Sequence, residues 1–298
     1  MEINNVLQNS FERWLNTIGY AESTVYASTN YVRDFFTWLD NLPADRHGTP
    51  IKELNQINNQ VVKTYHDYLQ TRRNKTKSGS LSNNYIISNI NALKRFSKYL
   101  QVTGKTTLEI DLQLQAIATE TKTILTRTEV KALYKACDND ILGIRDRAIL
   151  SIYYGCGLRR SEGINLNVSD ILLKEKRVYV RKGKNYKERY VPMSEAVKED
   201  LENYIYYARE RILSFKNIKN EALFLSMQVK RMHGNSLINR LHHLLNKSKI
   251  EKETGLHTLR HSIATHLLQS GMTLEEVSQF LGHASLESTQ IYTHLAND

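Results

Sequence analysis

Apolar positions in the first part of the chain recur three, four and seven residues apart, the spacing that gathers them on one face of an α-helix. Trp14, Leu15 and Ile18 make one stripe, and Tyr31, Phe35, Trp38 and Leu39 a second. Val61, Val62, Tyr65, Tyr68 and Leu69 make a third, and Ile86, Ile90, Leu93, Phe96, Tyr99 and Leu100 a fourth. Four amphipathic helices joined by polar connections predict a small bundle, with the aromatics as its packing. From Gly104 to Lys122 the pattern fades: Leu108, Ile110, Leu112 and Leu114 alternate with polar residues but have no longer apolar run beside them. Residues 106–122 therefore read as a linker between a helical unit at 1–105 and a second domain at 123–298.

The second domain opens where Thr126 stands three places before Glu129, a capping box. A helix over about Ile144 to Tyr154 is broken by Gly155-Cys156-Gly157. The period then changes. Arg177 to Val180 and Arg189 to Pro192 read as strands around a polar, basic turn at Lys182 to Lys187, a β-hairpin. The remainder is helical again. Thr273 with Glu276 opens a helix through Leu281, and Gly282 stops it. The fold class expected is mainly α, with a small β-hairpin or sheet in the second domain.

Composition narrows the partners. The 298 residues carry a net charge of +10, which suits a polyanion-binding protein and, from charge alone, equally a soluble protein with a basic surface. Residues 1–122 hold 14 Lys/Arg against 11 Asp/Glu and the remainder 27 against 20, so +3 of the excess lies in the first part and +7 in the second. Three prolines and 13 glycines favour helices over a many-turn β architecture. Cys137 and Cys156 form no metal-ligand motif and suit a reducing compartment. No signal-peptide core stands at the N-terminus, and no apolar run approaches the roughly 18 residues of a membrane span. The expectation is a soluble, cytoplasmic protein without a membrane partner.

Three clusters in the second domain carry candidate chemistry: Gly157-Leu158-Arg159-Arg160-Ser161-Glu162, then Gly183-Lys184 through Arg189, then a long set comprising His257-Thr258-Leu259-Arg260-His261, Leu281-Gly282-His283 and Tyr292. Metal-free phosphodiester exchange needs a nucleophile that keeps the bond energy in a covalent product. It needs fixed positive charge on the non-bridging oxygens and an acid for the leaving oxygen. Arginine suits the clamp through its permanent charge and planar fork. A phenol, with a reference pKa of about 10, ionises more readily than a serine hydroxyl. Taken singly, each residue has a plainer reading. Arg159 is a helix-terminal charge, His257 and His261 at i and i+4 are a candidate metal pair, His283 interacts with a helix dipole, and Tyr292 is one of 17 tyrosines. The metal reading has no glutamate in the zinc-protease position and no third ligand, so no metal and no cofactor are expected.

In order and spacing these residues resemble the tyrosine recombinases, the group of phage integrases, Cre and the bacterial Xer proteins. The match is to the Xer-like two-domain members without an arm-binding domain. It covers about Leu125 to Leu295 by motif, and more weakly the N-terminal bundle, which is similar to the family's SAM-like core-binding domain. The resemblance implies a site-specific DNA recombinase that works through a 3′-phosphotyrosine. In it, Tyr292 attacks, Arg159 and Arg260 hold the phosphate, and Lys184 protonates the leaving 5′ oxygen, with Lys182 and Lys187 as rivals for that role. His257 takes or gives the proton at Tyr292, His283 hydrogen-bonds a non-bridging oxygen, and Glu162 braces the site. DNA contacts are expected from Arg72, Arg73, Lys75, Lys77, Lys94, Arg95, Lys187 and Arg189, with Arg231, Asn235, Asn239 and Arg240 as candidates for base edges. The implied partners are double-stranded DNA with inverted-repeat core sites and a homotetramer on two duplexes, with or without a partner recombinase. Only six residues follow Tyr292, too few for the further helix by which many relatives couple protomers. Alternatives at this point are a type IB topoisomerase-like relaxing enzyme, a catalytically silent DNA-binding relative and a zinc hydrolase.

Overall fold

The structure is a computed structural model that describes residues 2–42, 54–74, 79–106, 108–113, 123–181, 188–216, 218–283 and 285–296. The chain divides into two compact units, Met1–Ala118 and Thr119–Asp298.

The first unit is built from α1 (Glu2–Thr17), α2 (Glu22–Asp40), α3 (Asn59–Thr71) and α4 (Asn83–Val102), one for each apolar stripe. Side chains of Asn58 and Ser82 accept from the backbone N–H groups of Val61 and Tyr85, which fixes where α3 and α4 begin. The aromatics pack as expected: Phe96 meets Phe11 and Phe36 edge-on at 5.2 and 5.7 Å, and Phe35 meets Tyr65 at 5.0 Å. Ile18 does not join them, because it lies past the end of α1 and is exposed. The buried face of α1 is Leu7, Phe11 and Leu15.

The linker expectation needs correction at residues 108–113. Leu108 is buried in the bundle's core, with Ile110 and Leu112 packed against it. Ser97 donates to the Leu108 carbonyl, and the Lys94 ammonium donates to the Leu112 carbonyl at 2.9 Å. This segment is not helical, so no 3.6-residue period betrays it. Its alternating Leu108, Ile110 and Leu112 are the apolar side of a segment laid along the helices.

The second unit contains α5 (Arg127–Ala136), α6 (Ile141–Leu150), a π-helical turn at Ser151–Gly155, and α7 (Arg160–Ile164). A small sheet of β1 (Ile171–Leu172), β2 (Arg177–Val180) and β3 (Arg189–Pro192) follows. Next come α8 (Glu195–Asn203), which runs through a π-helical stretch at Tyr204–Arg209 into α9 (Glu210–Ser214), and then α10 (Gly234–Lys247). The last elements are α11 (Leu256–Gln269), α12 (Leu274–Leu281) and α13 (Glu287–Ala296). Both predicted capping boxes form, at Thr126/Glu129 and Thr273/Glu276.

The sheet is antiparallel in the order β1-β2-β3, with Val178 opposite Ile171 on one side and Val191 on the other. Val178, Val180 and Val191 face the core, whereas Arg177 and Tyr190 face out. The two-residue β1 is too short to carry an alternating pattern and was not expected. The hairpin tip, with Lys182, Lys184 and Lys187, lies outside the described residues.

A large core runs from Leu133 and Tyr153 through Val178 and Tyr204 to Leu259. A separate small cluster of Ala264, Val277, Leu281 and Tyr292 joins α11, α12 and α13. Residues 293–296 continue the helix that carries Tyr292 rather than forming a strand or an extended arm.

Candidate active site

Arg159 precedes α7, and Arg260 lies in the first turns of α11. Both guanidiniums are anchored on backbone carbonyls. Arg260 donates to the Gly157 oxygen at 2.6 Å and to the Leu281 oxygen at 2.8 Å, and Arg159 donates to the Gly282 oxygen at 3.0 Å. These carbonyls are presented by turns that need glycine. Gly157 and Gly282 have φ of +60° and +66°, the left-handed region. A Cβ at Gly282 would also fall 2.5 Å from the Arg189 Cδ. Gly282 thus ends α12, offers its oxygen to Arg159 and leaves room for Arg189.

Glu162 ties the arrangement together. It accepts from the Arg159 Nη1 and backbone N–H at 2.9 and 2.8 Å, and from both Arg189 Nη atoms at 2.9 Å. Arg260 lies 3.9 Å from the same carboxylate. Burial alone would raise the Glu162 pKa, but the hydrogen bonds and charges of Arg189 and Arg159 win and hold it down at about 2. Three guanidiniums around one carboxylate leave two positive charges uncancelled. Arg260 is 3% exposed, and burial together with its neighbour Arg159 lowers its pKa to about 10. It remains charged at neutral pH. Fixed cations beside an incompletely neutralised centre are what an incoming phosphate would complete.

Tyr292 comes to this centre from α13. It is 2% exposed, and burial raises its pKa, while the nearby Arg260 and Arg159 pull in the opposite direction. Its hydroxyl shares a hydrogen bond of 2.7 Å with Nδ1 of His261. The His283 ring stacks on it at 6.2 Å with an interplanar angle of 17°, and the His283 Nδ1 shares a 2.6 Å hydrogen bond with the Thr289 hydroxyl. Burial and then Arg260, Arg159 and Arg189 lower the His283 pKa to about 4, so the ring is neutral at neutral pH. His257 lies one turn before His261 on α11, with its ring in contact with solvent. The crowding around it and the charges of Arg260, Arg160 and Arg159 lower its pKa as well.

The fold therefore brings Arg159, Glu162, His257, Arg260, His283 and Tyr292 to one place. Sequence reasoning missed His261, which entered only as half of a metal pair. The available signal was its position: i+4 from His257, on the same face of the helix. Among the described residues, no group of three His, Cys, Asp or Glu side chains is arranged to hold a metal ion. Arg189 is turned inward on Glu162 and 12% exposed, so it builds the site's base rather than an outer contact surface. Arg231 donates to the carbonyls of Ile164 and Leu166, and Arg240 is held by Asp146. Both are engaged within the fold rather than offered to base edges. Asn235 accepts from Arg160.

In the first unit, Arg73 is exposed, and Arg72 ends α3 half-buried. Lys94 is exposed, and Arg95 lies over the Tyr20 ring at 5.6 Å. Lys75 and Lys77 lie outside the described residues.

The sequence profile of the phage integrase family matches residues 123–298, all but the first four residues of the unit that holds this cluster. The chain belongs to the phage integrase family. Its relatives include the tyrosine recombinase XerC of Anoxybacillus flavithermus, 29% identical over 100% of this chain and 96% of that protein. The tyrosine recombinase XerD of Pseudomonas aeruginosa is 32% identical over 95% of this chain and 90% of its own length. Among solved structures, XerA recombinase is 28% identical with a TM-score of 0.53, covering 97% of this chain and 93% of that one. The XerH recombinase in a pre-cleavage complex with its difH substrate has a TM-score of 0.71 at 22% identity, over 91% of this chain and 76% of that one, a likeness of fold.

Proposed function

We propose that this tyrosine-type site-specific DNA recombinase cleaves and rejoins strands through a 3′-phosphotyrosine on Tyr292. The observation that carries this reading is a phenol set beside two guanidiniums whose positions are fixed by the carbonyls of Gly157, Leu281 and Gly282. Arg159 and Arg260 hold the non-bridging oxygens, where charge grows in the transition state. Glu162 positions both and does not react. His283, neutral at neutral pH, keeps an N–H to donate to a non-bridging oxygen, and His257, beside Arg260 and Arg159, is the family's candidate for the proton at Tyr292. Lys184 supplies the proton to the 5′ oxygen. No cofactor is required, because the phosphotyrosine keeps the energy of the broken bond.

The partner is double-stranded DNA with inverted-repeat core sites, gripped additionally through Arg72, Arg73, Lys75, Lys77, Lys94, Arg95 and Lys187. A homotetramer on two duplexes, with or without a partner recombinase, exchanges the strands in the cytoplasm. Family membership, the basic charge and the DNA complexes of the structural neighbours support the DNA partner.

The test is a supercoiled plasmid carrying two candidate core sites. Exchange between the sites by the wild type, absent in Tyr292→Phe, is the expected result. Relaxation of any supercoiled plasmid without exchange would replace this reading with a topoisomerase-like one.

A further inference from the structure

Covalent attack by Tyr292 requires that its phenol lose a proton, and the phenol is 2% exposed, so solvent barely reaches it. The nitrogen on its hydroxyl is Nδ1 of His261, at 2.7 Å, with the rings 5.4 Å apart and inclined by 45°. The rings are tilted rather than stacked, and Nδ1 and the hydroxyl meet at hydrogen-bond distance. His283 is placed differently: its ring lies nearly parallel to the phenol, and its Nδ1 is engaged with Thr289. His257 is one helical turn away, with its ring in solvent contact.

We infer that His261 is a further catalytic residue, the group that takes the phenol proton as Tyr292 attacks and returns it when the strand is rejoined. The inference rests on the recombinase reading of Tyr292. With the His261 proton on Nε2, Nδ1 accepts from the hydroxyl. As the phenolic oxygen bonds to phosphorus, its O–H bond breaks and the proton passes to Nδ1. The P–O5′ bond breaks with its electron pair, and the leaving 5′ oxygen takes a proton from the acid of the site. In rejoining, the 5′ hydroxyl attacks phosphorus and gives its proton back to the deprotonated acid of the site, the P–O bond to the phenolic oxygen breaks with its electron pair, and the imidazolium returns its proton to that oxygen. The guanidiniums of Arg260 and Arg159 beside Tyr292 favour the anionic oxygen midway through the transfer. His261 and Tyr292 are thus a base and a nucleophile within hydrogen-bond reach, next to fixed positive charge.

Single-turnover cleavage of a nicked suicide duplex tests this, with wild type, His261→Ala, His261→Gln and His257→Ala side by side and DNA binding followed by gel shift. Each is also made with 2,3-difluorotyrosine at position 292, a phenol that ionises more readily. His261→Ala and His261→Gln are both expected to cleave about 100- to 10,000-fold more slowly, the usual range for a lost general base, with DNA binding kept. The fluorinated phenol is expected to recover at least about tenfold of that loss in His261→Ala, because it has less need of a base. Wild-type speed in His261→Gln would show a hydrogen bond that only positions the ring, and would overturn the inference. Rescue by fluorination in His257→Ala but not in His261→Ala would overturn it too. If the wild type forms no adduct, the recombinase reading fails first and this inference falls with it.

Discussion

Helix α11 carries two tyrosine–histidine pairs, and only one of them stands at the candidate active site. His261 meets Tyr292 at 2.7 Å, and His266, little more than one turn along, meets Tyr154 at 3.0 Å. Burial raises the pKa of both phenols. The pairs differ in what surrounds them. Tyr154 has Arg127 as its charged neighbour, and that side chain is taken up by the His266 carbonyl. Tyr292 faces Arg260 and Arg159, anchored on carbonyls at their outer edges and gathered by Glu162. A hydrogen-bonded tyrosine and histidine are therefore not enough to make a nucleophile. What distinguishes Tyr292 is a preorganised positive centre on which a phosphate can be held.

The largest expected difference between the pairs is in chemistry. Tyr292→Phe removes all covalent DNA adduct, whereas Tyr154→Phe leaves adduct formation within about a factor of ten of wild type, both read on denaturing gels. Truncation of the cradle comes next. Arg260→Ala or Arg159→Ala should slow single-turnover cleavage by about 100- to 1,000-fold, the usual loss for a preorganised charge. Arg260→Lys should recover little of it, because an ammonium cannot span both the Gly157 and Leu281 carbonyls.

Glu162 separates stability from chemistry. In Glu162→Gln three guanidiniums lose their counter-charge, and unfolding by urea should report a loss of about 3 kcal/mol, in line with breaking a buried ion pair. The same residue sets an acid limb. Its pKa is held at about 2 in the folded protein, below the ordinary carboxylate value, so the unfolded chain binds the proton first as pH falls. Its stabilisation is complete above the ordinary carboxylate pKa and is lost as pH drops from there through about 2. His283, at about 4, acts in the same direction at higher pH: its contribution is full above the ordinary histidine pKa and is lost as pH falls through about 4. Urea midpoints measured against pH should show His283→Asn flattening the upper part of the limb and Glu162→Gln the lower part. The smallest effect is expected at the second pair, where Tyr154→Phe should cost about 1 kcal/mol of stability, one hydrogen bond.

Much of this was legible in the sequence, for reasons that differ by element. The four N-terminal helices declared themselves because each buries one stripe, and Phe35, Tyr65 and Phe96 sit where the period puts them. The capping boxes at Thr126 and Thr273 were legible because such a cap is local chemistry. Residues 108–113 were misread because a non-helical segment lying on a bundle has no period of its own. Arg159, Glu162, Arg260, His283 and Tyr292 were legible as an ordered set, since the family motif fixes their order along the chain. The partners of Arg189 and Arg231 were not, because a side chain's direction is decided by distant segments: Glu162 lies 27 residues from Arg189, and Ile164 lies 67 from Arg231. His261 was hidden for the same reason, since Tyr292 is 31 residues away and reaches it only when α13 packs on α11.

Which tyrosine takes the DNA decides the reading of the site. Trapping the wild-type adduct on a suicide duplex, digesting it with protease and nuclease, and locating the residual nucleotide by mass spectrometry tests this directly. The modification is expected on Tyr292. A nucleotide on Tyr154, or on any residue other than Tyr292, would contradict it.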